Sequence, residues 1–210
     1  MMTDTRTLSA DSAIDRIFGP VIHPQTWMNI LYLVASFPLG VAYFVVLVTL
    51  FSLGVGLLPI FIGLFVLWFA LFVADVFATI DRAAANMMLG AQIPPRTPAP
   101  PITGSVFEQM MAAARRPGTL RRIVYLFVRF PIGLVSFIFV MVLLPLSVGL
   151  LTLPLTYNIV PVNVGFSRVE TFDEAIYLCC FGAVFTLLSI HALNSWAALS
   201  RRFARTMLVP

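Results

Sequence analysis

Charge is scarce in this sequence. Of its 210 residues, 10% are charged and 60% apolar, whereas a soluble domain is about a quarter charged. A soluble fold of this size cannot hide that much apolar surface, which excludes a soluble enzyme and a disordered chain. Lysine is absent: all thirteen basic residues are arginine, against nine acidic ones. The net charge of +4 is not a nucleic-acid signature, because the arginines collect where apolar runs end instead of lining one face of a soluble domain. Cysteine is nearly absent too. Cys179 and Cys180 are adjacent inside an apolar run, which reads as small buried side chains and not as a disulfide scaffold. There is no glycine-rich phosphate loop, no His/Cys metal spacing and no carboxylate pair on one helix face. The chain therefore reads as non-enzymatic, without a metal or a cofactor.

What is present is length of apolar run. No charged residue occurs from Thr26 to Ala74, and one helix crossing ~30 Å of hydrocarbon needs ~20 residues, so this stretch holds two spans and a turn. The turn is expected at Ser52–Gly56, with Pro59 starting the next helix. Spans are predicted at about 28–51, 57–80, 123–146 and 175–199, as helices, because lipid offers backbone groups no water. Eleven of the thirteen arginines fall in the N-terminal tail, the middle loop and the C-terminal tail. By the positive-inside rule these segments are cytoplasmic, in a prokaryotic inner membrane. The late start of the apolar run, after Asp4, Asp11 and Asp15, does not fit a cleaved signal peptide.

The sequence also matches itself. A shift of 93 residues superposes Ser12 on Ser105, Pro24 on Pro117, Thr26 on Thr119, Tyr32 on Tyr125, Phe37 on Phe130, Pro38 on Pro131, Gly40 on Gly133 and Phe44 on Phe137. A second register, of 119, pairs Asp75 with Asn194, Arg82 with Arg201 and Leu89 with Leu208. The difference of 26 is an insertion between the last two spans. The expected architecture is an all-α integral membrane protein: four transmembrane helices as two parallel repeated helical hairpins, each preceded by a short interfacial amphipathic helix. Its parts are a cytoplasmic tail with interfacial helix (1–25), a first hairpin (26–90), a proline-rich cytoplasmic linker (91–104), an interfacial helix (105–118), a second hairpin (119–200) with an extracytoplasmic loop at about 152–174, and a cytoplasmic tail (201–210). Thr26 and Thr119 are expected to cap their helices.

Four polar positions fall at one depth near the cytoplasmic side: Asp75, Arg129, Asn194 and Ser36. A lone charge in lipid is costly, so Asp75 and Arg129 are expected to face inward and pair, either as a switch or as a structural clamp. Pro38 and Pro131, one turn beyond, each remove a helix hydrogen bond and mark helix kinks. Arg115, Arg116, Arg121, Arg122, Arg201 and Arg202 are candidates for contact with lipid phosphates. His191, alone in the fourth span, is a weak candidate ligand for a pigment or haem, with no second ligand beside it.

The segments Leu31-Tyr32-Leu33, Phe37-Pro38-Leu39-Gly40-Val41-Ala42-Tyr43-Phe44, Ser52-Leu53-Gly54-Val55-Gly56-Leu57 and Met88-Leu89-Gly90-Ala91-Gln92-Ile93-Pro94 resemble the "putative sensor" domain family, as do Phe130-Pro131-Ile132-Gly133 and Thr171-Phe172-Asp173-Glu174-Ala175. These are prokaryotic four-span modules often fused ahead of histidine kinases. The resemblance runs from about Thr26 onward. The sequence ends at Pro210 without a dimerisation helix or an ATP-binding domain, so the resemblance implies an input module that does not autophosphorylate.

Three functions fit these features. The first is a sensory or regulatory module that passes a membrane-derived signal to a separate partner. The second is a structural subunit of a larger membrane complex, respiratory or photosynthetic, and the third a small transporter. The partners expected are membrane lipids and a membrane protein or a second copy of the chain, not nucleic acid.

Overall fold

A computed structural model describes residues 23–94, 108, 111, 118–157, 163–164, 167–168 and 171–208. Four long helices account for nearly all of them: α1 (Pro24–Gly56), α2 (Ile62–Leu89), α3 (Thr119–Thr156) and α4 (Phe172–Leu208). All four are long and apolar enough to cross a membrane. At 1.5 Å per residue, the 38 residues of α3 reach about 57 Å, well past ~30 Å of hydrocarbon. Two-residue strands β1 (Asn163–Val164) and β2 (Ser167–Arg168) pair antiparallel between α3 and α4.

The helices keep their polar groups to themselves, as lipid demands. Ser36 donates to Tyr32 O, Ser136 to Ile132 O and Ser147 to Leu143 O, each at 2.7 Å and each one turn back. Large apolar side chains such as Phe65, Phe72, Val142 and Leu188 are left exposed, where acyl chains would cover them.

Helix ends differ from expectation in physically simple ways. The first turn comes later than Ser52–Gly56: α1 runs through Gly56, and the chain reverses over Leu57–Phe61. Pro59 sits in a single 3₁₀ turn (Leu58–Ile60), and Phe61 takes a left-handed φ of 61°. Gly63 must be glycine here, because a Cβ would overlap Gly54 O and the Leu57 backbone. Gly63, and Gly54 against Leu67, thus serve close packing of the reversal, not its bend. Thr26 is not a cap, since α1 opens at Pro24, which suits a first helical position. Thr119 opens α3, and its hydroxyl accepts from Arg122 Nη2 (3.0 Å). The loop after α3 is shorter than expected, as that helix runs to Thr156. Of the interfacial helices only Glu108 and Met111 belong to the described residues, and both are helical.

The exit of α2 is tightly held. Gly90 is left-handed (φ 58°), and the Ala91 N–H donates back to Ala85 O. Asn86 then bonds both backbone groups of Ile93, its Nδ2 donating to O (3.0 Å) and its Oδ1 accepting from N–H (2.8 Å). Thr171 and Glu174 form a reciprocal capping box at the start of α4.

The chain divides into two compact units, Met1–Ile30 with Ile138–Trp196, and Leu31–Phe137 with Ala197–Pro210. In the second, α1 and α3 touch backbone to backbone. A Cβ on Gly40 would lie 3.0 Å from Arg129 O and from Phe130 Cα, and one on Gly133 would overlap Ser36 O. Phe37 stacks on Phe137 (centroids 4.9 Å, 25°) and Phe44 on Phe130 (4.9 Å, 26°). Adding 93 to the α1 partner of each contact gives the α3 partner of the other contact of its kind. In the first unit, Gly182 lets α4 approach Leu150 of α3, Phe139 packs on Trp196 (5.3 Å), and Leu153, Ala175, Ile190 and Leu193 are buried.

Candidate functional site

The second unit buries a complete ionic cluster among apolar helices. On α2, Ala70, Ala74, Ala78 and Ala85 are buried, a narrow stripe that lets neighbouring helices come close. Asp81 lies on this stripe and is 0% exposed. Arg129 of α3, 2% exposed, donates from Nε to Asp81 Oδ1 at 3.0 Å. Tyr125, one turn earlier on α3, donates its hydroxyl to Asp81 Oδ2. Both carboxylate oxygens are therefore engaged. The guanidinium also lies over the Tyr32 ring of α1, 4.8 Å from the centroid, a cation–π contact strengthened by the dry surroundings. Tyr43, two turns beyond Ser36, packs its ring on Phe77 of α2 (4.7 Å), one turn from Asp81.

A second pair lies nearer the surface of the same unit. Asp75, with its side chain 41% exposed, bonds Arg122 Nη1 at 2.9 Å, and Arg122 also holds Thr119. The expected pairing of Asp75 with Arg129 is thus corrected: each has a different partner. At about 100° per residue, the six positions between Asp75 and Asp81 turn the two carboxylates away from each other, and only Asp81 shares the face of the alanine stripe.

Asn194 belongs to the first unit. It accepts from Asn29 Nδ2 (2.9 Å) and donates to Thr26 Oγ1 (3.1 Å), and Gln25 in turn donates to Asn29 (3.1 Å). Ser36, of the second unit, is buried and spends its hydroxyl on its own helix. Pro38 and Pro131 both lie within helices, on exposed positions two residues before the close-packed Gly40 and Gly133.

Arginines tie the far ends of α2 and α4 together in the second unit. Arg82 Nη2 donates to Leu208 O (2.9 Å), and Arg201 Nη1 donates to Leu89 O (3.3 Å). Arg205 reaches Ala91 O and Arg121 reaches Thr206 O. The last carbonyls of a helix carry the negative end of its dipole, so these bonds satisfy two helix ends with charge-assisted donors. This changes the list of candidate phosphate contacts. Arg122 is buried, with bonds to Asp75 and Thr119, while Arg201 and Arg121 each spend a donor on a carbonyl, of Leu89 and Thr206 respectively. Arg121 and Arg202 are exposed, while Arg115 and Arg116 lie outside the described residues.

His191 is exposed, and its Nδ1 lies 2.9 Å from Leu187 O, one turn back on α4. No group of three or more His, Cys, Asp or Glu that could hold a metal occurs among the described residues.

Asp81 and the three tyrosines around it are absent from the residues expected to matter. Asp81 stands where the second predicted span ends, which made it look like an interface marker. The available signal was the spacing of small residues: Ala74, Ala78 and Ala85 lie seven, three and four positions from Asp81. The tyrosines on α1 and α3 read as ordinary aromatic core.

The family model described as "Putative sensor" matches residues 32–208. No curated protein and no solved structure matches the chain.

Proposed function

The chain belongs to the Putative sensor family, and on that premise we propose that it is a non-enzymatic multi-pass sensory module that passes a membrane-derived signal to a separate partner. The observation that carries this reading is the buried Asp81–Arg129 pair. A buried ion pair contributes little net stability, because desolvation offsets attraction, yet breaking it exposes an uncompensated charge. That combination suits a two-state element better than a clamp. Arg82 follows Asp81 directly and bonds the last described turn of α4, so a shift of α2 that disturbs the pair would be felt at the far end of α4.

The arrangement also supports a duplicated architecture of two parallel hairpins. Arg82–Leu208 and Arg201–Leu89 exchange partners under the shift of 119. Asp75–Arg122 corresponds to Asn194–Asn29 when the two shifts are applied together. Both hairpins then enter the membrane from the arginine-rich side, which the positive-inside rule makes the cytoplasmic side of a prokaryotic inner membrane. The partners are lipids, through exposed arginines such as Arg202, and a membrane protein that reads the ends of α2 and α4.

The test uses spin labels at Met87→Cys and Thr206→Cys with Cys179 and Cys180 changed to serine. Interspin distance is measured in bilayers of short and long acyl chains. A distance that shifts with thickness, and is pinned at one value by Asp81→Asn, is the expected result. One unchanging distance in every bilayer and variant would sink the switch.

A further inference from the structure

The outer face of α4 carries polar groups where acyl chains would meet it. No charged residue lies between Glu174 and Arg201, so this stretch is the part of α4 that suits hydrocarbon. His191 stands ten residues before Arg201, about 15 Å inside that boundary at 1.5 Å per residue. His191 and Ser195 are both exposed, and four positions apart on a helix they are neighbours on one face. The ring Nδ1 lies 2.9 Å from Leu187 O. A carbonyl only accepts, so in the neutral ring this contact holds the proton on Nδ1 and leaves Nε2 an acceptor. The Ser195 hydroxyl makes no hydrogen bond among the described residues, whereas that of Thr186 donates to Gly182 O (2.7 Å). Acyl chains offer neither donor nor acceptor, so lipid would leave both groups unmatched.

The apolar residues of the same face form a seam with this pair. Tyr177, Phe181, Val184 and Leu188 are the four most exposed large apolar side chains of α4, at 58–76%. With His191 and Ser195 they are spaced four and three residues apart in alternation. At 100° per residue all six fall within an arc of about 80°. That is the spacing by which one helix packs along another.

We infer that this face of α4 docks a second copy of the chain, with His191 of each copy accepting a hydrogen bond from Ser195 of the other. The pair itself selects the occupant, because its donor and its acceptor complement each other. Copies inserted in one orientation share a two-fold axis along the membrane normal, which sets their α4 helices parallel. Under that axis, if position i of one copy meets position j of the other, then j also meets i. In a parallel seam each side chain sits among four residues of the facing helix, one of them four positions further on. An acceptor and a donor four positions apart therefore satisfy each other twice, and no third molecule is needed. The surface concerns assembly, and it stands whether or not the chain signals.

The full chain, with Cys179 and Cys180 changed to serine, is labelled at Met87→Cys with donor and acceptor fluorophores. It is then diluted in vesicles of phosphatidylethanolamine and phosphatidylglycerol. Energy transfer that falls with dilution is expected, and its course gives a dissociation constant. His191→Leu and Ser195→Ala should each raise that constant about tenfold, since either change removes both interhelical bonds. The double variant should raise it no further than a single one. Leu188→Cys, on the seam, should cross-link on oxidation, while Phe65→Cys, equally exposed but on α2, should not. Energy transfer at the level of random proximity at every dilution overturns the dimer. So does a constant that neither polar variant changes, or cross-linking at Phe65→Cys that matches Leu188→Cys. A different protein cross-linked at Leu188→Cys in native membranes, with the purified chain monomeric, overturns it in favour of that partner. A visible absorption band lost in His191→Leu overturns it in favour of a pigment.

Discussion

Asp81 and Arg129 are 48 residues apart in sequence and 3.0 Å apart in space, an ion pair closed on three sides by Tyr125, Tyr32 and the alanine stripe of α2. Single substitutions here strand a charge in a dry interior. Asp81→Asn and Arg129→Gln are each expected to cost about 3–5 kcal/mol. The double variant Asp81→Leu with Arg129→Met should cost much less than the sum, since it removes both charges together. Unfolding in mild detergent, analysed as a double-mutant cycle, measures the difference.

Asp75→Asn should behave otherwise. Its side chain is 41% exposed, so solvent screens the pair although its partner Arg122 is buried, and the loss is expected to stay below about 1 kcal/mol. Cellular abundance of Asp75→Asn beside Asp81→Asn gives a direct reading: near normal for the first and clearly reduced for the second.

The crossing of α1 and α3 depends on two hydrogens in place of two methyl groups. Gly133→Ala would place its Cβ into Ser36 O, whereas Gly40→Ala meets Arg129 O at 3.0 Å. The first should therefore destabilise more than the second, by overpacking of about 1–3 kcal/mol. Gly149→Ala, with nothing within 4 Å, serves as control and should be neutral or slightly stabilising, because alanine favours the helix. Thermal midpoints in one detergent rank the three.

Loss of the exchanged arginines should loosen helix ends and leave the interior intact. Arg82→Gln is expected to cost more than Arg201→Gln, because Arg82 is buried and its bond is the shorter, 2.9 against 3.3 Å. Hydrogen exchange should quicken in the last turns of α2 and α4 while the amides around Leu126 and Leu193 keep their protection. Quickening throughout all four helices would mean the arginines support global stability instead.

If the hairpins are repeats, the ionic pair of one should transplant onto the amide pair of the other. Asn29→Arg and Asn194→Asp correspond to Arg122 and Asp75. Each alone places an unmatched charge beside Thr26, and together they should recover most of the loss. A double variant no better than the worse single would argue against equivalent geometry.

Hydropathy alone determined that four helices are long and apolar enough to cross a membrane, and roughly where, because lipid forces every backbone group into an internal bond and a crossing needs about 20 apolar residues. Arginine placement and self-similarity at 93 and 119 residues were likewise legible, and Gly40, Gly133, Arg82 and Arg201 meet partners related by those same shifts. Which aspartate pairs with Arg129 was not. Depth is a one-dimensional quantity that a residue count supplies, whereas facing depends on the rotation of each helix about its axis. Asp75 and Asp81 both fall near the end of a span, and six positions at about 100° each turn them to different faces. The tertiary structure decided between them by close approach: α2 meets its neighbours along alanines too small to keep them apart, and the carboxylate on that seam is the one that arginine and tyrosine can reach.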